Sequence, residues 1–126
     1  MSFVQTNPNP AHRYTGDCVI RAISIAEDLP WDNVFISLMV ESFKLKDMPS
    51  ANHAWGSYLR GLGYHRYVIP DQCPDCYTVA DFANEHPDGT YILATGTHAV
   101  AVKNGSYMDT WDSGEEIPVY YWKKEM

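Results

Sequence analysis

Apolar positions recur at helical spacing through the first half of the chain and alternate along strands through the second. Asn7-Pro8-Asn9-Pro10 excludes helix near the start, because each proline restricts the residue before it, and residues 1–16 are expected to form an irregular arm. A helix is expected to begin near Cys18, with Thr15 or Asp17 as its cap. Val19, Ile20, Ala22, Ile23, Ile25 and Ala26 cover most of its surface, leaving Arg21, Ser24 and Asp28 as a polar stripe. A helix that apolar belongs in the middle of a domain.

Pro30 sits where a second helix opens, followed by Trp31, Val34, Phe35 and Leu38 at helical spacing. Ser50 or Asn52 starts a third, through Trp55, Leu59 and Leu62, with Gly63 as its stop. Residues 64–69 read as a strand and 70–77 as a loop. Thr78 with Asp81 forms a capping box for a short helix. After a turn at Pro87-Asp88-Gly89, strands are expected over 90–94, 98–103, 106–111 and 119–122. The pattern is an α+β fold, with N-terminal helices packed as a layer on a C-terminal antiparallel β-sheet.

With 126 residues the chain fits one domain, 1–126, able to bury a core without disulfides or metal. The formal net charge of −7 argues against nucleic acid and anionic lipid as partners. No apolar run reaches a membrane span and the start carries no apolar signal region, so a cytoplasmic protein is expected. Three cysteines, an odd number, make no disulfide framework. Cys73 and Cys76 form a lone CxxC, half a zinc knuckle with no second pair, and read as a reduced loop dithiol. No metal and no cofactor are expected.

Cys18 falls in the first turn of its helix, where unpaired N–H groups favour a thiolate. Asn104-Gly105 is a strong two-residue hairpin signal and sets a register: Lys103 opposite Ser106, Val102 opposite Tyr107, Val100 opposite Asp109, His98 opposite Trp111. Alternation then puts His98, Val100, Val102, Tyr107, Asp109 and Trp111 on one face, with Asp112 on the other. A nucleophile, a base and a carboxylate to orient the base are thereby all present.

Thr15-Gly16-Asp17-Cys18-Val19-Ile20-Arg21-Ala22 resembles the active-site helix start of the papain-like cysteine peptidases, and His98 followed by Asp109-Thr110-Trp111 resembles that superfamily's histidine and Asn/Asp-x-Trp strands. The whole chain is also similar to short bacterial and phage proteins with a GDCVIRAIS-type start and a YDTWD-type end. The resemblance implies a papain-like fold, catalysis by Cys18, His98 and Asp109, and Trp111 as a cover over the imidazole. It also implies a side-chain donor for the oxyanion hole shortly before the cysteine. His12 stands where such enzymes carry glutamine, and Asn9 and Asn7 are alternatives, ahead of Gln5. The expected function is thiol-dependent hydrolysis of a peptide, isopeptide or amide bond in a peptide or protein substrate. A non-catalytic binding protein on the same fold, of the kind a phage uses to block a host protein, and an NlpC- or CHAP-type cell-wall amidase are the alternatives.

Overall fold

A computed structural model describes residues 3–69 and 77–125. Cys73 and Cys76, with most of the expected loop, lie outside the described residues. Among the described residues the chain is α+β. Its elements in order are β1 (Phe3–Gln5), α1 (Cys18–Glu27), α2 (Trp31–Leu45), α3 (Asn52–Gly61), β2 (Tyr64–Val68), α4 (Val79–Glu85), β3 (Thr90–Ala94), β4 (Ala99–Lys103), β5 (Ser106–Asp109) and β6 (Tyr120–Lys124). The strands form one mixed sheet in the order β1-β5-β4-β3-β6-β2.

Two features of this sheet correct the sequence reading. The arm is not irregular throughout: Phe3–Gln5 adds a strand parallel to β5, pairing Gln5 with Asp109, so the sheet is mixed rather than antiparallel. The helices also occupy both faces. Ile92, Ala94, Ala99 and Ala101 pack with α1, α2 and α3 through Ile23, Leu38 and Leu59. The alternate positions Tyr91, Leu93, Val100, Val102 and Tyr107 pack with Val79, Phe82 and Ala83 of α4. Central strands buried on both sides read as near-continuous apolar runs, as β3 and β4 do.

The local signals hold where they rest on backbone chemistry. Thr78 and Asp81 exchange both capping-box hydrogen bonds at α4. Gly63 ends α3 at φ 93°. Asn104 and Gly105 take φ 50° and 85°, as a primed hairpin turn requires, and the ladder pairs Lys103 with Ser106 and Val102 with Tyr107. Asp17 stands at the N-cap position of α1, yet neither it nor Thr15 caps the helix by a side-chain hydrogen bond. No helix among the described residues is long and apolar enough to cross a membrane.

The hairpin turn gives a direct check of this geometry. Gly105→Ala places a Cβ at a positive φ, in ordinary van der Waals contact with the Pro87 and Ala83 backbone, so backbone strain is the main effect. The expected loss is about 1 kcal/mol, a fall in Tm of a few degrees in a thermal melt.

Candidate active site

The β4–β5 ladder pairs Ala101 with Met108 and stops there, so the expected pairs Val100–Asp109 and His98–Trp111 do not form. His98 precedes β4 and Asp109 ends β5, at the rim of the sheet. The single-face expectation fails for the same reason. Val100, Val102 and Tyr107 face α4, while His98 and Asp109, past the ladder, turn toward α1. The two side chains nevertheless meet: His98 Nε2 lies 2.6 Å from Asp109 Oδ2.

Cys18 is the first residue of α1 and is half-buried. The His98 ring and the Ala99 backbone N–H lie near its thiol and favour the thiolate. Nε2 is engaged by Asp109, so Nδ1 is the ring nitrogen available to the sulfur. Burial pushes the Cys18 thiol up. The His98 and Ala99 hydrogen bonds and the charges of His98 and Arg21 outweigh it and hold the thiol below its ordinary value. Burial likewise opposes charge on His98, but the hydrogen bonds and charges of Asp109 and Cys18 raise it to about 9. Asp109 is only 3 % exposed, and burial alone would raise its carboxyl. His98, the Ser113 hydroxyl and the Thr110 N–H bring it below the usual carboxylate range instead. All three shifts run toward the charged form, thiolate at Cys18, imidazolium at His98 and carboxylate at Asp109.

Sequence reasoning missed what holds Asp109. Arg21, read as part of a polar stripe, is 6 % exposed. Its guanidinium pairs with Asp17 one turn back and reaches Asp109 Oδ1 at 3.4 Å. The Asp17–Arg21 spacing of four was the available signal. Asp17 in turn accepts from Trp31 Nε1 at 2.9 Å and Asn9 Nδ2 at 3.3 Å, which ties the start of α2 and the arm to the same cluster. Ser113 carries no comparable signal, because it acts through a bend after β5.

The remaining expected residues fall as follows. Trp111 lies beside the imidazole, ring centroids 5.2 Å apart, and is 47 % exposed. Asp112 accepts from the Tyr107 hydroxyl at 2.7 Å. Asn9 is buried with its amide donating to Asp17 and its Oδ1 accepting from Ala11 N–H. His12 is exposed at φ 55°. Asn7 accepts from Asn9 N–H, and Gln5 donates to the Thr110 carbonyl at 3.5 Å. Among the described residues no group of His, Cys, Asp and Glu is arranged to hold a metal ion.

Neither protein-family models, curated proteins nor solved structures contain a match to this chain.

Two outcomes follow from this geometry. Asp109→Ala removes the partner of His98 Nε2 and should slow alkylation of Cys18 by iodoacetamide at pH 6 by about tenfold or more, whereas Asp112→Ala should change it less than about threefold. The reverse ranking would make Asp112 the orienting group. In an NMR titration of the unaltered protein, the His98 imidazole should lose its proton as pH rises through about 9.

Proposed function

We propose that this protein is a thiol-dependent hydrolase of peptide, isopeptide or amide bonds, working through Cys18, His98 and Asp109 on a papain-like arrangement of helix and sheet. The observation that carries the reading is the 2.6 Å bond from His98 to Asp109 beside Cys18, whose thiol that imidazole helps hold below its ordinary pKa. A core cysteine or a satisfied strand histidine needs no such chain of partners.

The chemistry runs in two halves. The Cys18 thiolate attacks the substrate carbonyl carbon, forming a C–S bond and pushing the carbonyl electrons onto oxygen. The tetrahedral species collapses, the C–N bond breaks, and His98 gives its proton to the departing amine. Water then attacks the thioester as His98 takes one of its protons. The C–S bond breaks, the acid leaves, and the thiolate–imidazolium pair is restored. Backbone N–H groups in the first turn of α1 are the donors aimed at the developing oxyanion. Asp109 keeps the ring oriented so that Nδ1 faces the sulfur, and Trp111 shields that bond from water on one side.

One observation favours the second reading, a binding module on the same fold. Asn9 gives its amide to Asp17, and His12 is exposed, so neither is engaged at Cys18 as an oxyanion donor. A peptidase lacking that donor would still acylate, about a hundred- to a thousandfold more slowly. A cytoplasmic setting and a peptide or protein substrate remain part of the proposal.

Thiol reactivity separates the two readings. Short exposure to iodoacetamide at pH 5–6, followed by peptide mapping, should label Cys18 and leave Cys73 and Cys76 untouched. An ordinary thiol, with a pKa of about 8.5, is almost wholly protonated there. Cys73 and Cys76 also have Asp71 and Asp75 beside them in sequence, which discourages ionisation further. Cys18→Ala should lower turnover of a peptide library by about a thousandfold or more while the melting curve keeps its shape. Even labelling of the three cysteines would favour the binding module.

A further inference from the structure

The substrate has two sides, and the site treats them differently. A cavity of about 220 Å³ opens beside the start of α1, walled by Gly16, Cys18, Val19 and Ile20 on one side and by Leu38 and Pro49 on the other. Among the described residues Asp17 is the charged group on this wall. It is buried, and its two oxygens are engaged by Arg21, Asn9 and Trp31. The cavity therefore presents mainly apolar surface beside Cys18, with Ser50 as the uncharged polar residue on its rim. An apolar cavity of about 150 Å³ is enough to hold a benzene-sized group. One of about 220 Å³ holds a single medium-sized apolar side chain.

Which side of the scissile bond occupies it follows from the chemistry. His98 delivers a proton to the leaving amine, so the leaving group lies on the imidazole side. Neither His98 nor Trp111 lines the cavity. Trp111 instead borders a separate groove of about 670 Å³ with Asp112 and Glu115. The cavity borders Cys18 and not His98, which is the position expected of the acyl half.

We infer that the cavity is the acyl-side specificity pocket, and that the substrate carries one medium-sized aliphatic side chain of the leucine or methionine class next to the scissile carbonyl. A charged chain would enter a wall with no free partner for it and lose its hydration uncompensated. Glycine would leave the pocket unfilled and forgo the burial that selects the substrate. This inference rests on the hydrolase reading above.

Matched peptidyl chloromethyl ketones ending in leucine, glycine, lysine or glutamate test it on the full chain. The readout is the rate of mass gain at Cys18. The leucine probe should react at least about tenfold faster than each of the others. Gly16 lines the cavity and has open space where a Cβ would stand, so Gly16→Leu should crowd the cavity mouth and bring the leucine-to-glycine rate ratio toward one. Ser50→Leu, from the opposite rim, should do the same and serves where Gly16→Leu fails to fold. Equal rates for all four probes, or a faster lysine or glutamate probe, would overturn the pocket while rapid iodoacetamide labelling of Cys18 kept the hydrolase reading standing. Slow labelling of Cys18 by iodoacetamide as well would overturn both.

Discussion

A buried arginine between two buried carboxylates organises this molecule. Arg21 meets Asp17 on its own helix and Asp109 at the end of β5, and all three are almost fully shielded from water. Removing such groups from water costs several kcal/mol per ion, recovered only when every partner is present. The partners here come from four separate parts of the chain. Asn9 of the arm and Trp31 of α2 complete Asp17, while Ser113 and the Thr110 N–H complete Asp109. Loss of any one segment leaves a buried charge short of a partner, so the arm, both helices and the strand end are held in one arrangement.

The same cluster sets the chemistry next to it. Charge alternates from Asp17 through Arg21 and Asp109 to His98 and Cys18. His98 and Asp109 each favour the other's ionised form, and His98 and Arg21 favour the thiolate of Cys18. Burial alone would neutralise Cys18, His98 and Asp109, and at all three it is the largest single influence. It loses because its opponents are several and act together. Arg21 lies one turn along α1 from Cys18, close enough for its positive charge to favour the thiolate while its guanidinium holds the carboxylate that orients His98. The ion cluster and the thiol whose pKa it helps lower are here a single electrostatic unit.

How much of this the sequence carried depended on the range of the interaction. Signals written within a few residues were legible: the Asn104-Gly105 turn, the Thr78–Asp81 box, and the cysteine opening an apolar helix. The same-face argument for His98 and Asp109 found the right pair by a route the molecule does not use. The ladder ends at Ala101–Met108, and the pair forms past it. What stayed hidden was long-range. Three residues of β1 have too little periodicity to read as a strand, and their partner lies a hundred positions away. Arg21 looked like surface because charge normally is. Nothing local foretold Asp109, 88 positions on. The second face of the sheet was missed because a short helix with ordinary polarity gives no sign of which side it will cover.

The rim of the sheet is also the place where this triad can be assembled. Inside a ladder, opposed side chains stand perpendicular to the sheet and roughly parallel to each other, a geometry that suits packing rather than a head-on contact of 2.6 Å. Past the last rung the backbone is free to aim them. His98 follows the turn after β3, and Asp109 precedes the bend that carries Trp111 and Ser113. That freedom would scatter the groups were the end of β5 left as a loose edge. The short parallel strand β1 prevents it: Gln5 pairs with Asp109, and the Thr6 N–H donates to the Asp109 carbonyl at 2.7 Å. The backbone of Asp109 is thus fixed by the arm and its side chain by Arg21. His98 takes its position from a carboxylate that has no other place to go, and the sulfur at the start of α1 meets an imidazole already held in place.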